Sequence, residues 1–182
     1  MILSSGVPKI QSSNGNCFWL TGYSGAGKTT IGTLFKARLD GLDRSSLLLD
    51  GDLLRTVFGN SHGYAPADGL KLGLSYGQLC REITVQGVNV ICATISMFHQ
   101  VHEWNRENIP NYREIYLRVP SEELEKRDPK GLYKEARANI HTDMVGLDLT
   151  AEEPESPDLV IDNYSGMTPE TALDMIWDTF VT

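Results

Sequence analysis

The run Gly22-Tyr23-Ser24-Gly25-Ala26-Gly27-Lys28-Thr29 carries the spacing G-x-x-x-x-G-K-[ST] without a mismatch. Its chemistry is anion capture. Glycines let the backbone curl so that successive N–H groups point inward, the lysine reaches the β- and γ-phosphates of a nucleotide, and the following hydroxyl binds Mg²⁺. Gly22, Ser24, Gly25, Ala26, Gly27, Lys28, Thr29 and Thr30 are therefore the expected ATP-binding residues, with Mg²⁺ as the second cofactor. A pair of carboxylates follows in Leu49-Asp50-Gly51-Asp52. One of them can hold Mg²⁺ or its waters while the other accepts the proton of an acceptor hydroxyl. Local sequence equally allows Asp52 to cap a short helix. With the phosphate loop upstream, Lys28, Asp50 and Asp52 are the catalytic candidates, and Thr29 with Asp50 the metal candidates.

Other polar residues read less sharply. Arg55, a turn beyond Asp52, reads locally as a solvated helix arginine. Arg127, Lys130, Lys134 and Arg137 form a cationic stretch in which some side chains could close over phosphates while the rest face solvent. His62, His99, His102 and His141 lack metal-binding spacing. Phe98, Trp104, Tyr112 and Tyr116 read as core, whereas Tyr64 sits in a polar Gly-Tyr-Ala-Pro turn.

These groups need strands and helices to hold them. Apolar or β-rich runs predict strands at Cys17–Leu20, Ser46–Asp50, Val88–Ile95, Glu114–Val119 and Leu159–Ile161. Helical patterns predict helices over Ile31–Leu39 and Asp68–Gln86, the latter weakened by Gly73 and Gly77. Pro120-Ser121 offers a further helix start, and Thr168-Pro169-Glu170 is a helix entry with Thr as cap and Pro in the first turn. Alternating strands and helices predict an α/β fold of three layers, a phosphate-loop kinase fold with a mainly parallel five-stranded sheet and a lid. In such sheets ligands sit at the strand carboxyl ends, so the phosphate loop, Asp50-Gly51-Asp52 and Thr94-Ile95-Ser96 should meet in one cleft. Residues 1–16 read as a leader, 17–182 as one domain, and about 127–157 as the lid.

Composition sets outer bounds. A chain of 182 residues supports one well-buried core. Its net charge of −8 argues against a nucleic-acid partner. Cys17, Cys80 and Cys92 show no C-x-x-C spacing and read as reduced structural thiols. No apolar run approaches the ~20 residues of a membrane helix. The expectation is a cytoplasmic protein with a small-molecule partner, no membrane association, and a homodimer as its oligomeric state.

The segments Gly22–Thr30, Leu49–Asp52 with Arg55, and Arg127-Asp-Pro-Lys-Gly-Leu-Tyr-Lys134 together resemble the adenylyl-sulfate (APS) kinase family, as do Gly146-Leu-Asp148 and the acidic Pro154–Pro157 stretch. The resemblance runs from about Cys17 to the C-terminus. It implies transfer from MgATP to the ribose 3′-hydroxyl of a nucleotide. Asp52 would orient the acceptor, Asp50 would be its metal-side neighbour, and Arg55, Ile95 and Lys130 would contact substrate. Arg127 falls on the ATP side. Ser96 falls where the family carries a phosphoserine, which makes it a fourth catalytic candidate, although direct in-line transfer needs no covalent step.

The departures concern the acceptor. Family residues that hold phosphosulfate, an Arg, an Asn and an Arg, fall on Gly69, Leu72 and Leu74, and a further Arg falls on His99. The two rings that sandwich adenine fall on Tyr64 and Met144, leaving one. Ala93-Thr-Ile-Ser-Met-Phe-His99 and Glu103-Trp-Asn-Arg-Glu-Asn108 resemble a subgroup from bacterial capsule polysaccharide pathways that phosphorylates cytidine diphosphoramidate. That acceptor is the expectation. True APS kinase activity is the alternative, with Lys71, Arg81 or His102 restoring the lost contacts. A non-catalytic nucleotide-binding regulator is the second alternative.

Overall fold

Five short runs become the strands of one sheet: β1 Cys17–Thr21, β2 Ser46–Asp50, β3 Asn89–Ala93, β4 Tyr112–Arg118 and β5 Leu159–Asp162. The computed structural model describes residues 13–58, 66–128 and 151–181. Strand order is β2-β3-β1-β4-β5, and all four pairings are parallel. The sheet is thus wholly parallel where a mainly parallel one was expected. Central β1 is buried along its whole length because helices cover both faces, which is why its sequence is continuously apolar.

The two-residue period of β1 splits the core. Phe18 and Leu20 face a cluster built on α1 (Lys28–Asp40) and α6 (Pro169–Phe180), where Phe35 packs edge-on to Phe18 at 4.6 Å between ring centroids. Cys17 and Trp19 face a second cluster built on α3 (Pro66–Thr84) and α4 (His99–Asn108). Each fully buried large side chain of this kind stabilises the fold by about 1.5–3 kcal/mol. The three cysteines are free thiols buried in this second cluster.

Helix ends follow local chemistry. Thr168 caps α6, its Oγ1 accepting from the Thr171 N–H at 3.1 Å, with Pro169 in the first turn as expected. Helix α3 forms despite Gly73 and Gly77, and the reason is packing. A Cβ on Gly77 would lie 2.1 Å from Asn105 Oδ1 and 3.1 Å from the Trp104 ring, and one on Gly73 would lie 2.9 Å from Val101 Cγ2. Bare backbone is what lets α3 and α4 approach. Helix α4 was not foreseen, and α2 (Gly51–Phe58) was foreseen only as the short helix that Asp52 could cap. A fifth, α5 (Ser121–Arg127), starts where Pro120-Ser121 suggested.

The chain passes from β1 to the β2 edge, back to β3, then across β1 to β4. The carboxyl ends of β1, β2 and β3 therefore border one crevice, the place where such sheets bind ligands.

Candidate active site

That crevice is a cleft of about 880 Å³, lined from the phosphate loop by Ser24, Gly25, Gly27, Lys28, Thr29 and Thr30. Gly25 and Gly27 sit at φ 80° and 93°, a left-handed conformation that turns their N–H groups inward. No side chain caps the start of α1, so its first backbone N–H groups and the helix dipole face the cleft. Lys28 is buried against the loop, its Nζ donating to the Gly22 and Tyr23 carbonyls at 2.8 Å each. Ala26 and Gly22 form the loop's buried underside.

The loop is tied from a side that motif reasoning did not reach. Buried Asn163, just past β5, donates from Nδ2 to the Ala26 carbonyl at 2.8 Å, and a Cβ on Gly27 would lie 2.7 Å from that same nitrogen. The Asn163 carbonyl in turn accepts from Arg127 at 2.8 Å, placing Arg127 on the cleft wall. A single Asn after a strand carries no motif, so only the fold reveals it.

Asp50 ends β2 beside the loop. Its Oδ2 accepts from Thr29 Oγ1 at 2.6 Å and its Oδ1 accepts from the Asp52 backbone N–H at 2.9 Å. Capping of α2 thus falls to Asp50, not to Asp52, the capping alternative that local sequence allowed. Asp52 and Arg55 lie on α2 and line the same cleft. A hydroxyl and a carboxylate at the start of a phosphate-facing helix suit Mg²⁺, which takes one or two protein oxygens and completes its shell with water and phosphate.

Opposite stands the wall Thr94–Phe98. Ile95 and Ser96 line the cleft, with Thr21 Oγ1 donating to the Ile95 carbonyl at 2.5 Å. Ser96 is held at φ 27°, an uncommon value for a residue with a Cβ, so its surroundings must impose it. Its hydroxyl lies 2.9 Å from Thr94 Oγ1 and its carbonyl accepts from His102 Nε2 at 3.1 Å. His102 Nδ1 is 3.0 Å from Oε1 of Glu114, close but not aligned as a hydrogen bond, and both residues are buried. The other Glu114 oxygen accepts from Arg106 at 2.9 Å, and Arg106 continues to Asp158. Burial works against the Arg106 charge, yet Asp158 and Glu114 outweigh it and hold its pKa above the usual value.

The outer grip on this wall comes from residues 152–155. Glu152 accepts from the His99 N–H at 2.6 Å, its own N–H donates to the Met97 carbonyl at 3.1 Å, and the His99 ring meets the Glu153 carbonyl at 2.9 Å. Of the expected site residues, Lys28, Thr29, Asp50, Asp52, Arg55, Ile95, Ser96 and Arg127 meet around one cleft. Tyr64, Lys130, Met144 and most of the expected lid lie outside the described residues, as do Lys134, Arg137, His62, His141 and residues 1–12 of the expected leader.

Residues 14–162 match the adenylylsulphate kinase family. The chain belongs to that family. It is 36% identical over 164 residues to the cytidine diphosphoramidate kinase of Campylobacter jejuni, covering 90% of this chain and 95% of that one. It is also 36% identical over 149 residues to the adenylyl-sulfate kinase of Pseudomonas aeruginosa, covering 81% of this chain and 76% of that one. In structure it is similar to the Mycobacterium tuberculosis APS kinase solved with AMPPNP and APS, at a TM-score of 0.86 and 27% identity over 93% of this chain and 99% of that one.

As an adenylyl-sulfate kinase family member the protein is an ATP-binding phosphotransferase whose acceptor is a hydroxyl of a small nucleotide. The regulator reading is set aside on that ground. No helix among the described residues is long and apolar enough to cross a membrane. The family departures now have places. Gly69 and Leu72 line the cleft, but Leu74 packs into the second core cluster. His99 is occupied by Glu152 and Glu153, His102 is buried behind Ser96, and Arg81 pairs with Glu82 on the surface. Lys71 is exposed on α3 and does not line the cleft.

Proposed function

We propose that the protein transfers the γ-phosphoryl group of MgATP to the ribose 3′-hydroxyl of a nucleotide whose diphosphate ends in a neutral or amidated group, with cytidine diphosphoramidate the named acceptor. One observation carries the acceptor reading. Among the described residues the cations lining the cleft are Lys28, Arg55 and Arg127, and two of these lie by the phosphate loop. Of these three, Arg55 is the one on the acceptor side, where Gly69 and Leu72 replace groups that could hold a sulfate. A site that leaves a bound anion without its cations loses several kcal/mol. An amide end needs fewer of them. The Campylobacter jejuni relative's name supports the same reading.

The residues divide the work by position. Loop N–H groups and Lys28 hold the ATP phosphates, and Arg127 adds charge over them. Thr29 and Asp50 would hold Mg²⁺, which neutralises charge on the phosphate oxygens when bound. Asp52 orients the acceptor hydroxyl and takes its proton, Arg55 and Ile95 shape the acceptor side, and the nucleophile is the hydroxyl itself. Ser96 stands on the acceptor wall with its hydroxyl turned to Thr94. Tyr64, Lys130 and Met144 complete the proposal as acceptor contacts.

The equal similarity to APS kinases favours a second reading, in which APS is the acceptor. Side-by-side kcat/KM values for APS and cytidine diphosphoramidate at the same MgATP decide between them. Cytidine diphosphoramidate should be preferred. A preference for APS of ~100-fold, about 2.7 kcal/mol, overturns the proposal.

A further inference from the structure

Helix α3 turns Gly69, Leu72 and Tyr76 towards the acceptor side of the cleft, at i, i+3 and i+7 on one helical face. The first two offer no hydrogen-bonding side chain. Tyr76 does, and it stands on the same face one turn deeper. Its ring is anchored in the core, 3% exposed and 5.6 Å between centroids from Phe58. Tyr76 lines the cleft, and its hydroxyl lies within electrostatic reach of Arg55 and Asp52.

Among the described residues, Thr94 and Ser96 also bring hydroxyls to the acceptor side, and these engage each other at 2.9 Å. Among the described residues none hydrogen-bonds the Tyr76 hydroxyl. A phenol held at the edge of a core ordinarily finds a partner, and here the cleft is where one arrives. Burial, with Asp52 and Cys92 adding to it and Arg55 opposing, pushes the phenol up to about 12. It therefore keeps its proton at neutral pH and can both donate and accept.

That double capacity is chemically selective. Arginine only donates, which suits the all-acceptor oxygens of a sulfate. A phosphoramidate end offers N–H donors as well as oxygens, and a phenol can meet either. We propose that Tyr76 is a specificity-determining residue of this kinase, its hydroxyl hydrogen-bonding the diphosphate end of the acceptor and favouring an amidated end over a sulfate. The inference rests on the acceptor chemistry proposed above.

Tyr76→Phe is the test, because it keeps the ring against Phe58 and removes one oxygen. Wild type and Y76F are compared with cytidine diphosphoramidate and with APS at the same MgATP. The expected result is a fall of about tenfold in kcat/KM for cytidine diphosphoramidate, as for one lost hydrogen bond. The APS value should move by less than about threefold, and neither the KM for MgATP nor the melting temperature should change. Y76F within about twofold of wild type on cytidine diphosphoramidate, or an equal fall for both nucleotides, overturns the inference. The wild-type ratio tests the acceptor reading and the mutant-to-wild-type ratio tests Tyr76, so the two failures are told apart. Should neither nucleotide turn over, calorimetric titration of cytidine diphosphoramidate into the AMP-PNP-loaded proteins replaces the rates. Equal affinity in both proteins, or no binding to wild type, then overturns it.

Discussion

Lys28, Asp52 and Ser96 line one cleft, yet their surroundings assign them different kinds of work. Lys28 donates to the Gly22 and Tyr23 carbonyls of its own loop, so Lys28→Ala should abolish turnover while circular dichroism and melting stay close to wild type. Asp52 stands on α2 with the capping duty taken by Asp50. Asp52→Asn keeps the shape but cannot take a proton, so kcat should fall by ~10²–10⁴ with little change in the KM for MgATP. A kcat within about threefold of wild type would remove Asp52 from the chemistry. Ser96 differs from both. With its hydroxyl on Thr94 and its backbone held by His102, its part is to shape the acceptor wall. Ser96→Ala should therefore keep kcat within about tenfold, the scale of one lost hydrogen bond. Loss of all transfer, with a phosphoserine trapped on wild type by mass spectrometry, would instead establish a covalent step.

At the scale of elements, α3 and α4 behave as one support for the acceptor wall. Their contact depends on Gly77 lying against Asn105 and Trp104. Gly77→Ala should cost about 1–3 kcal/mol in urea unfolding despite the better helix propensity of alanine, because the added methyl overpacks a buried contact. An unchanged or raised stability would show that the helices can separate without loss. The same pair of helices shows what sequence can and cannot convey. Strand β1, the phosphate loop and α1 were legible because an apolar run, a fixed spacing and a helical pattern all coincide there. Helix α3 was legible from its leucines, but Gly73 and Gly77 looked like defects until a neighbour was present to need them. Helix α4 was not legible, because the side chains it buries are Val101, His102 and Asn105, and two of those three are polar. Its partner Glu114 lies twelve positions beyond His102, on a strand, at no recognisable spacing. The carboxylates and loop of the site could be read from sequence. Asn163 and the His102–Glu114–Arg106 support could not, since they acquire meaning only when β4 stands beside β1 and β5 beside β4.

The whole molecule joins cleft and core through the central strand. The residues before the phosphate loop are β1, and β1 carries Cys17 into the cluster that also holds Cys80 and Cys92, none of them more than 0% exposed. Reaching these thiols requires α3 to leave the sheet, and the acceptor wall leans on α3 through Gly73, where a Cβ would lie 3.4 Å from Ser96. If that opening takes the nucleotide cleft with it, bound nucleotide must oppose it by mass action. At a concentration 100 times its dissociation constant a ligand stabilises the folded state by about 2.7 kcal/mol. Labelling of the three cysteines by a thiol reagent, under conditions where reclosing is faster than reaction, should then slow by ~100-fold in Mg–AMP-PNP. The native protein should label negligibly before denaturant is added, and three thiols should react after it. Labelling that ignores the nucleotide would mean that α3 lifts off alone while β1 and the loop stay in place. The acceptor wall would then be the weaker half of the enzyme, and acceptor binding, not ATP binding, should protect the thiols. The two ligands added separately distinguish a single cooperative unit from a hinged one.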